Sequence, residues 1–559
     1  MPGSEKKPSP RKLSHEGASE YDATSLHEPL PYRIKFTMGI GESIQACYTV
    51  ICGFFLNAYL LEVACLPPSY VGMIQMIAGA FDSFNDPIIG SLSDRTRTRW
   101  GRRRPWLLFA SLPLGLFYFG IWNVLPRDNE SIPTSDESRL IYYLAMYMGI
   151  SIGITCIQVQ IGALVPELTL DYDERTTLST YRLGIGNVIA LIAVLIHSSI
   201  VTAFLQEGRL EDGYRTSGGL FGIWICFAGW FTFWNIKEKF NPELEDDESI
   251  GCCEGLQIVF KNKAFICVVI VYLSGPTAVC LVQTNLLLYC KYILNDEALV
   301  DYIIAIVQGM ALVMLPWWNF VGRKWGKKMC YYMGGTVLAT SLSSLYFIHS
   351  KTATIVVSFI AGTSLGIPYM IPYSMLPDVI EEDEIKTGKR REGVYFGFFT
   401  IFLKLSVTSA FTATNFALEL AGYVAPKSTC GGGNESSDST ILPDSQPERV
   451  IQVMRLLVGP IPAFFFCVAM FFVWKFPITR ATHEISAAKV VKERTRKSIQ
   501  LRNGESERLA NHINGLNGII EGIESDDVEK NVNSATHNAT RGANNGTGNG
   551  SSLSVDTNL

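Results

Sequence analysis

Residues 82–86 read DSFND inside an otherwise apolar stretch. Asp82 and Asp86 are four apart, so on a helix they share one face, with Asn85 beside them. A carboxylate at the centre of a bilayer costs about 2.5–3.5 kcal/mol on insertion scales. A purely structural role rarely justifies that cost twice. The three side chains offer a compact set of hard oxygen ligands, which suits a small monovalent cation such as sodium. The competing reading is a water-exposed helix end, because an arginine-rich run follows soon after Asp86-Pro87. Lys404, in FFTIFLKLSVTSA, is the other expensive charge, and it lies too far from either end of its apolar run to snorkel. It is expected to face the interior and pair with Asp82 or Asp86. Thr155 can add a hydroxyl oxygen. Arg182 either meets an anionic group or anchors its span at a basic membrane face.

These residues need membrane helices to position them. The 559 residues are 48% hydrophobic, with a mean hydropathy of +0.20. Only 18% are charged, against about 25% in soluble domains. The net charge of −5 gives no footprint for a nucleic-acid partner. Apolar stretches long enough to cross a bilayer recur along the chain. Twelve spans are predicted: 37–64, 69–92, 105–125, 140–165, 180–204, 218–236, 264–290, 299–321, 329–348, 353–376, 393–422 and 451–475. The basic residues gather after even-numbered spans, as in Arg95, Arg97, Arg99, Arg102, Arg103 and Arg104 after the second. The positive-inside rule therefore puts both termini in the cytoplasm. The organisation that follows is a cytoplasmic tail (1–35), a six-helix half (36–236), a linker (237–263), a second six-helix half (264–475) and a largely disordered cytoplasmic tail (476–559).

The N-terminus is polar and basic, so no cleaved signal peptide is expected. Sequons at Asn129 and Asn434 fall in outside loops and are candidate glycan sites, whereas those at Asn538, Asn545 and Asn549 fall in the cytoplasmic tail. Most of the 13 cysteines, among them Cys47, Cys65 and Cys156, read as small buried hydrophobes. Cys252 and Cys253, in a cytoplasmic loop, are candidates for acylation. Residues 483–502 read either as a basic interfacial helix or as a solvated one. No nucleotide-binding loop, metal-ligand spacing or G-x-S-x-G motif is present, so an enzyme is not expected.

The halves echo each other. LVPELTLDYDERTTLSTYR after span 4 matches MLPDVIEEDEIKTGKRREG after span 10, and DRTRTRWGRRRPW after span 2 matches GRKWGKKM after span 8. Such a repeat resembles the major facilitator fold: an all-α membrane protein of twelve transmembrane helices in two pseudo-symmetric halves, with the site between them near mid-depth.

The strings DSFNDPIIGSLSDRTRTRWGRRRPW, PELTLDYDERT and DEIKTGKRREGVYFGFFTIFLK resemble the glycoside–pentoside–hexuronide:cation symporter family across all twelve spans. That resemblance implies cation binding by Asp82, Asn85, Asp86 and Thr155, with Lys404 coupling the cation and substrate sites. GFFLNAYLLEVA, STYRLG, SMLPDVI and LELAGY…SQPERV give a narrower resemblance to the animal sodium-dependent lysophosphatidylcholine symporters, which implies that Arg182 holds a lipid phosphate. The loop between spans 5 and 6 is short here and has no cysteine, so Cys430 lacks the partner that this resemblance would supply. The acids and the Trp of the melibiose-type sugar site align with Ala46, Gln158 and Gly162. Small, neutral replacements favour a lysophospholipid over a polyol, with Gln158 lining the substrate site. The expectation is a monomeric, sodium-coupled lysophospholipid symporter with no cofactor, working by alternating access in the plasma membrane or the endoplasmic reticulum. The alternatives are a melibiose-type sugar symporter and a non-coupled lipid conduit or receptor.

Overall fold

The computed structural model describes residues 29–125, 135–169, 171–238, 252–387, 391–426, 430 and 446–478. Asn129, Asn434, the tail sequons and residues 483–502 lie outside the described residues, whereas Cys252 and Cys253 open a short helix. The first half contains α1 (Tyr32–Glu62, with a π turn at Cys52–Leu56), α2 (Pro68–Arg95), α3 (Arg104–Ile121), α4 (Asp136–Leu168), α5 (Tyr172–Gln206) and α6 (Leu210–Asn235). A short α7 (Cys252–Lys261) precedes α8 (Lys263–Tyr292), α9 (Leu299–Trp325), α10 (Lys327–Leu345), the broken pair α11 (Lys351–Gly362) and α12 (Ile367–Thr387), α13 (Glu392–Ala421), and a second broken pair, α14 (Glu448–Val458) and α15 (Pro460–Lys475).

With α7 set aside and each broken pair counted as one, these helices correspond to the twelve spans read from the sequence. Among the described residues, ten helical stretches are long and apolar enough to cross a membrane. The other two positions are filled by α2, which carries Asp82 and Asp86, and by α10, which is rich in Gly, Ser, Thr and Tyr. Their polar content lowers their hydropathy, yet both are packed into the bundle, α2 against α4 and α10 against α11 and α15.

Caps explain where several helices begin. Ser135 accepts from the Ser138 amide at the start of α4, with Asp136 and Glu137 in the favourable first turn. Asp171 accepts from the Glu174 amide and starts α5 at Tyr172, eight residues before the apolar run begins. Arg182 therefore lies ten residues inside α5, about 15 Å along its axis. The sequence had placed it near the start of the span. Apolar periodicity registers only the hydrocarbon-facing part of a helix and misses a polar first turn that a cap can support.

In the first half α1 packs on α5 and α6, and α3 on α4 and α6. In the second, α8 packs on α14 and α15, and α9 on α11. By contacts, the described residues up to Met375 and from Gly393 to Phe476 form one compact unit. The described residues from Leu376 to Glu392, with Pro477 and Ile478, belong to a second unit, in which Lys386 pairs with Glu382 at 2.5 Å and Arg391 with Asp383 at 3.7 Å.

The two ends of the bundle differ in chemistry. At one end the arginine-rich connection between α2 and α3 is folded, not splayed. Glu167 accepts from Arg102 at 2.7 Å and Arg103 at 3.2 Å. Glu238 accepts the backbone amides of Arg102, Arg103 and Arg104, which Gly101 permits by turning with a φ of 105°. At the other end Cys65 and Cys430 form a disulfide, with Cα atoms 5.7 Å apart. This corrects two expectations: Cys65 is not a buried apolar filler, and Cys430 has a partner. The reason is local. Helix α1 ends at Glu62, and Cys65 sits beyond it with a left-handed φ of 54°, in the turn that faces the loop after α13. Cys47 and Cys156 are buried free thiols, as expected.

Candidate cation and substrate site

Of the residues that drew attention in the sequence, Asp82, Asp86, Thr155 and Lys404 fall into one cluster, Asn85 lies beside it on α2, and Arg182 stands apart. Lys404 lies twelve residues into α13, and its ammonium reaches across to α2. It donates to Asp86 Oδ1 at 2.6 Å and to the Asp82 backbone carbonyl at 3.2 Å, and it lies 3.1 Å from Asp82 Oδ2. Thr155, brought in by the α2–α4 contact, donates within 3.1 Å of Asp86 Oδ1 and 3.3 Å of Asp82 Oδ1. Lys404 Nζ is also 3.4 Å from the Thr155 hydroxyl. The Lys404, Asp82 and Asp86 side chains are each about a quarter exposed, so the group is neither sealed nor at a free helix end. Asn85 is buried on the same helix, and its Nδ2 has no hydrogen-bond partner.

With both carboxylates ionised, the cluster carries two negative charges and one positive. Oxygen atoms from Asp82, Asp86 and Thr155 converge there, and the ammonium occupies their shared focus. A small hard cation prefers this donor set.

Helix α2 can approach α13 this closely because residue 79 is glycine. A Cβ at Gly79 would overlap the Thr408 side chain, one turn from Lys404. That contact fixes the distance over which Lys404 meets Asp82.

Arg182 belongs to a second cluster nearer the arginine-rich end. Its Nε lies 3.3 Å from Glu42 Oε2. Gln158 Nε2 donates to the other oxygen, Glu42 Oε1, at 3.3 Å. Glu42 was missed by the sequence reading. The signal was available, since an acid ten residues inside α1 carries the same intramembrane cost as Asp82. It also alters an inference: the loss of the melibiose-type acid at Ala46 does not leave this region without a carboxylate, because Glu42 stands one helical turn away.

A small apolar cavity of about 70 Å³ is lined by Phe54 of the first half and by residues of the second such as Val279, Leu286, Ile303, Leu338, Leu342 and Val357.

Residues 37–480 match the sequence pattern of the family described as MFS/sugar transport protein. The chain belongs to this family. An uncharacterised symporter of Synechocystis is 29% identical over 82% of this chain and 96% of its own length. The sodium-dependent lysophosphatidylcholine symporter 1-B of Danio rerio is 25% identical over 83% of this chain and 93% of its own. The sphingosine-1-phosphate transporter MFSD2B of Xenopus tropicalis is 25% identical over 80% and 88%. Among solved structures, the nucleoside transporter NupG superposes with a TM-score of 0.56 at 12% identity, covering 80% of this chain and 99% of that one, which supports the major facilitator fold. The protein is therefore an integral, multi-pass membrane transporter of the major facilitator fold.

Proposed function

We propose that this transporter is a sodium-coupled symporter of a lysophospholipid, working by alternating access. The observation that carries the coupling is the Asp82–Asp86–Thr155 oxygen set with Lys404 at its focus. Two intramembrane carboxylates and one ammonium leave a net negative charge for a cation to neutralise. An arriving sodium ion competes with Lys404 for the same oxygens, and the displaced ammonium carries the signal onward. Arg182 offers a planar donor fork for a phosphate. The small cavity offers an acyl chain an apolar lining, not a preformed volume. Relatives named for sodium-dependent lysophosphatidylcholine symport support the same reading.

The arginine-rich end is assigned to the cytoplasm by the positive-inside rule. The disulfide at the opposite end agrees, because disulfides persist on the oxidising side of a membrane. The plasma membrane is the preferred location, and the working unit is a monomer with no cofactor.

A second reading, a cation-coupled sugar symporter, draws on Glu42, whose carboxylate could accept sugar hydroxyl protons. One experiment separates the two: uptake of labelled lysophosphatidylcholine and labelled melibiose, each with and without sodium, in the same cells. Sodium-stimulated uptake of the lipid alone is expected, and Asp86→Ala should abolish the stimulation while protein remains at the surface. Sodium-driven melibiose uptake with no lipid uptake would return the chain to the sugar reading.

A further inference from the structure

Arg182, Glu42 and Gln158 form an incomplete polar cluster. Arg182 and Glu42 lie within ion-pair distance, but Arg182 Nε and Glu42 Oε2 each lack a hydrogen bond. Gln158 Oε1 is likewise buried without a partner. The side chains of Arg182 and Glu42 are only 16% and 8% exposed. Glu42 is also confined: a Cβ at Gly186, one turn along α5 from Arg182, would lie 3.0 Å from Glu42 Cγ. Water does not fully solvate these groups, and the protein does not fully pair them. Such a cluster is costly unless a ligand completes it.

Charge balance says which ligand can. Arg182 and Glu42 together are neutral. A lysophospholipid whose head group is only a phosphate ester of an uncharged alcohol would add a negative charge beside Glu42 and leave a net charge in a poorly solvated site. A zwitterionic head group adds none: its phosphate meets Arg182 and its ammonium meets Glu42. In such head groups an ethylene link holds the two charges close together, on the scale of the Arg182–Glu42 contact. We propose that Glu42 is the residue that selects zwitterionic lysophospholipids over anionic ones. The selection is repulsive as well as attractive, since the carboxylate penalises the uncompensated phosphate. This assignment rests on the lysophospholipid reading above.

The test compares uptake of lysophosphatidylcholine and lysophosphatidylglycerol of the same acyl chain by wild type, Glu42→Asp and Glu42→Gln. Wild type and Glu42→Asp should favour the choline lipid by about ten-fold or more, the usual scale of an uncompensated buried charge. Glu42→Gln should bring the ratio to within about two-fold by raising uptake of the glycerol lipid. Binding of both lipids to purified protein reads the same ratio should Glu42→Gln bind without transporting. An unchanged preference in Glu42→Gln would overturn the assignment, as would a wild type that carries both lipids equally. A wild type that carries neither lipid defeats the lysophospholipid reading itself, a different failure.

Discussion

At the scale of single residues, the proposed function gives Lys404 and Glu42 comparable work in different clusters, each supplying a charge for a ligand to answer. Lys404 holds the focus of the candidate cation site, so under the proposed coupling sodium no longer has to displace an ammonium in Lys404→Ala. Sodium should then stabilise the purified variant against heat at lower concentration than it does wild type, while sodium-driven uptake falls by about ten-fold or more. A variant that needs more sodium for the same thermal shift would show that Lys404 assists sodium and does not compete with it. The sequence made Asp82, Asp86 and Lys404 visible because each is a charge in an apolar run. Glu42 met the same criterion and was passed over, because its meaning lies in its partner. Arg182 is distant in sequence, and only the packing of α1 on α5 brings the two together.

At the scale of helices, the cation site depends on how closely α2 and α13 approach. Gly79 permits the approach, three residues before Asp82, and Thr408 receives it, four residues after Lys404. Gly79→Leu should drive the helices apart and lengthen the Lys404–Asp86 contact. Sodium stimulation of uptake should then be lost, with about 1–3 kcal/mol of stability, typical of overpacking. Retained stimulation with normal heat stability would show that the helices meet elsewhere. Helix number and order were legible from hydropathy, including the two spans whose polar residues weaken the signal. The depth of Arg182 was not, because the capped polar turns from Tyr172 onward extend α5 beyond the apolar run.

At the scale of the whole molecule, the disulfide end joins the halves in two ways that behave differently over a transport cycle. The reversible part centres on Glu62, at the end of α1. Its carboxylate accepts from Lys291 at 2.6 Å and from Tyr292 at 2.7 Å on the other half, with the Tyr423 hydroxyl at 3.4 Å. Asn415 adds bonds to Asn57 at 2.8 Å and Gln75 at 3.1 Å, and Glu419 accepts from the Ser69 amide at 3.1 Å. The Cys65–Cys430 bond is the irreversible part. A covalent link does not break and re-form in each cycle, whereas the alternating access proposed above requires this end to open. Opening must therefore proceed around the disulfide, through the connections after α1 and α13, while the Glu62 bonds break and reclose. Removing the tether and removing the hub should then have unequal effects. The Cys65→Ser, Cys430→Ser double variant should keep uptake within about two-fold of wild type and lose heat stability, since a cross-link closing so long a loop contributes typically 2–4 kcal/mol. Glu62→Gln removes the negative charge that Lys291 meets at 2.6 Å in a part-buried site and should lower uptake by about ten-fold or more. Both are read in intact cells with surface protein measured in parallel, and the cysteine arm is repeated on wild type with a membrane-impermeant reductant. If reduction abolishes uptake while Glu62→Gln spares it, closure of this end depends on the covalent bond, and the assignment of the gate to Glu62 is wrong.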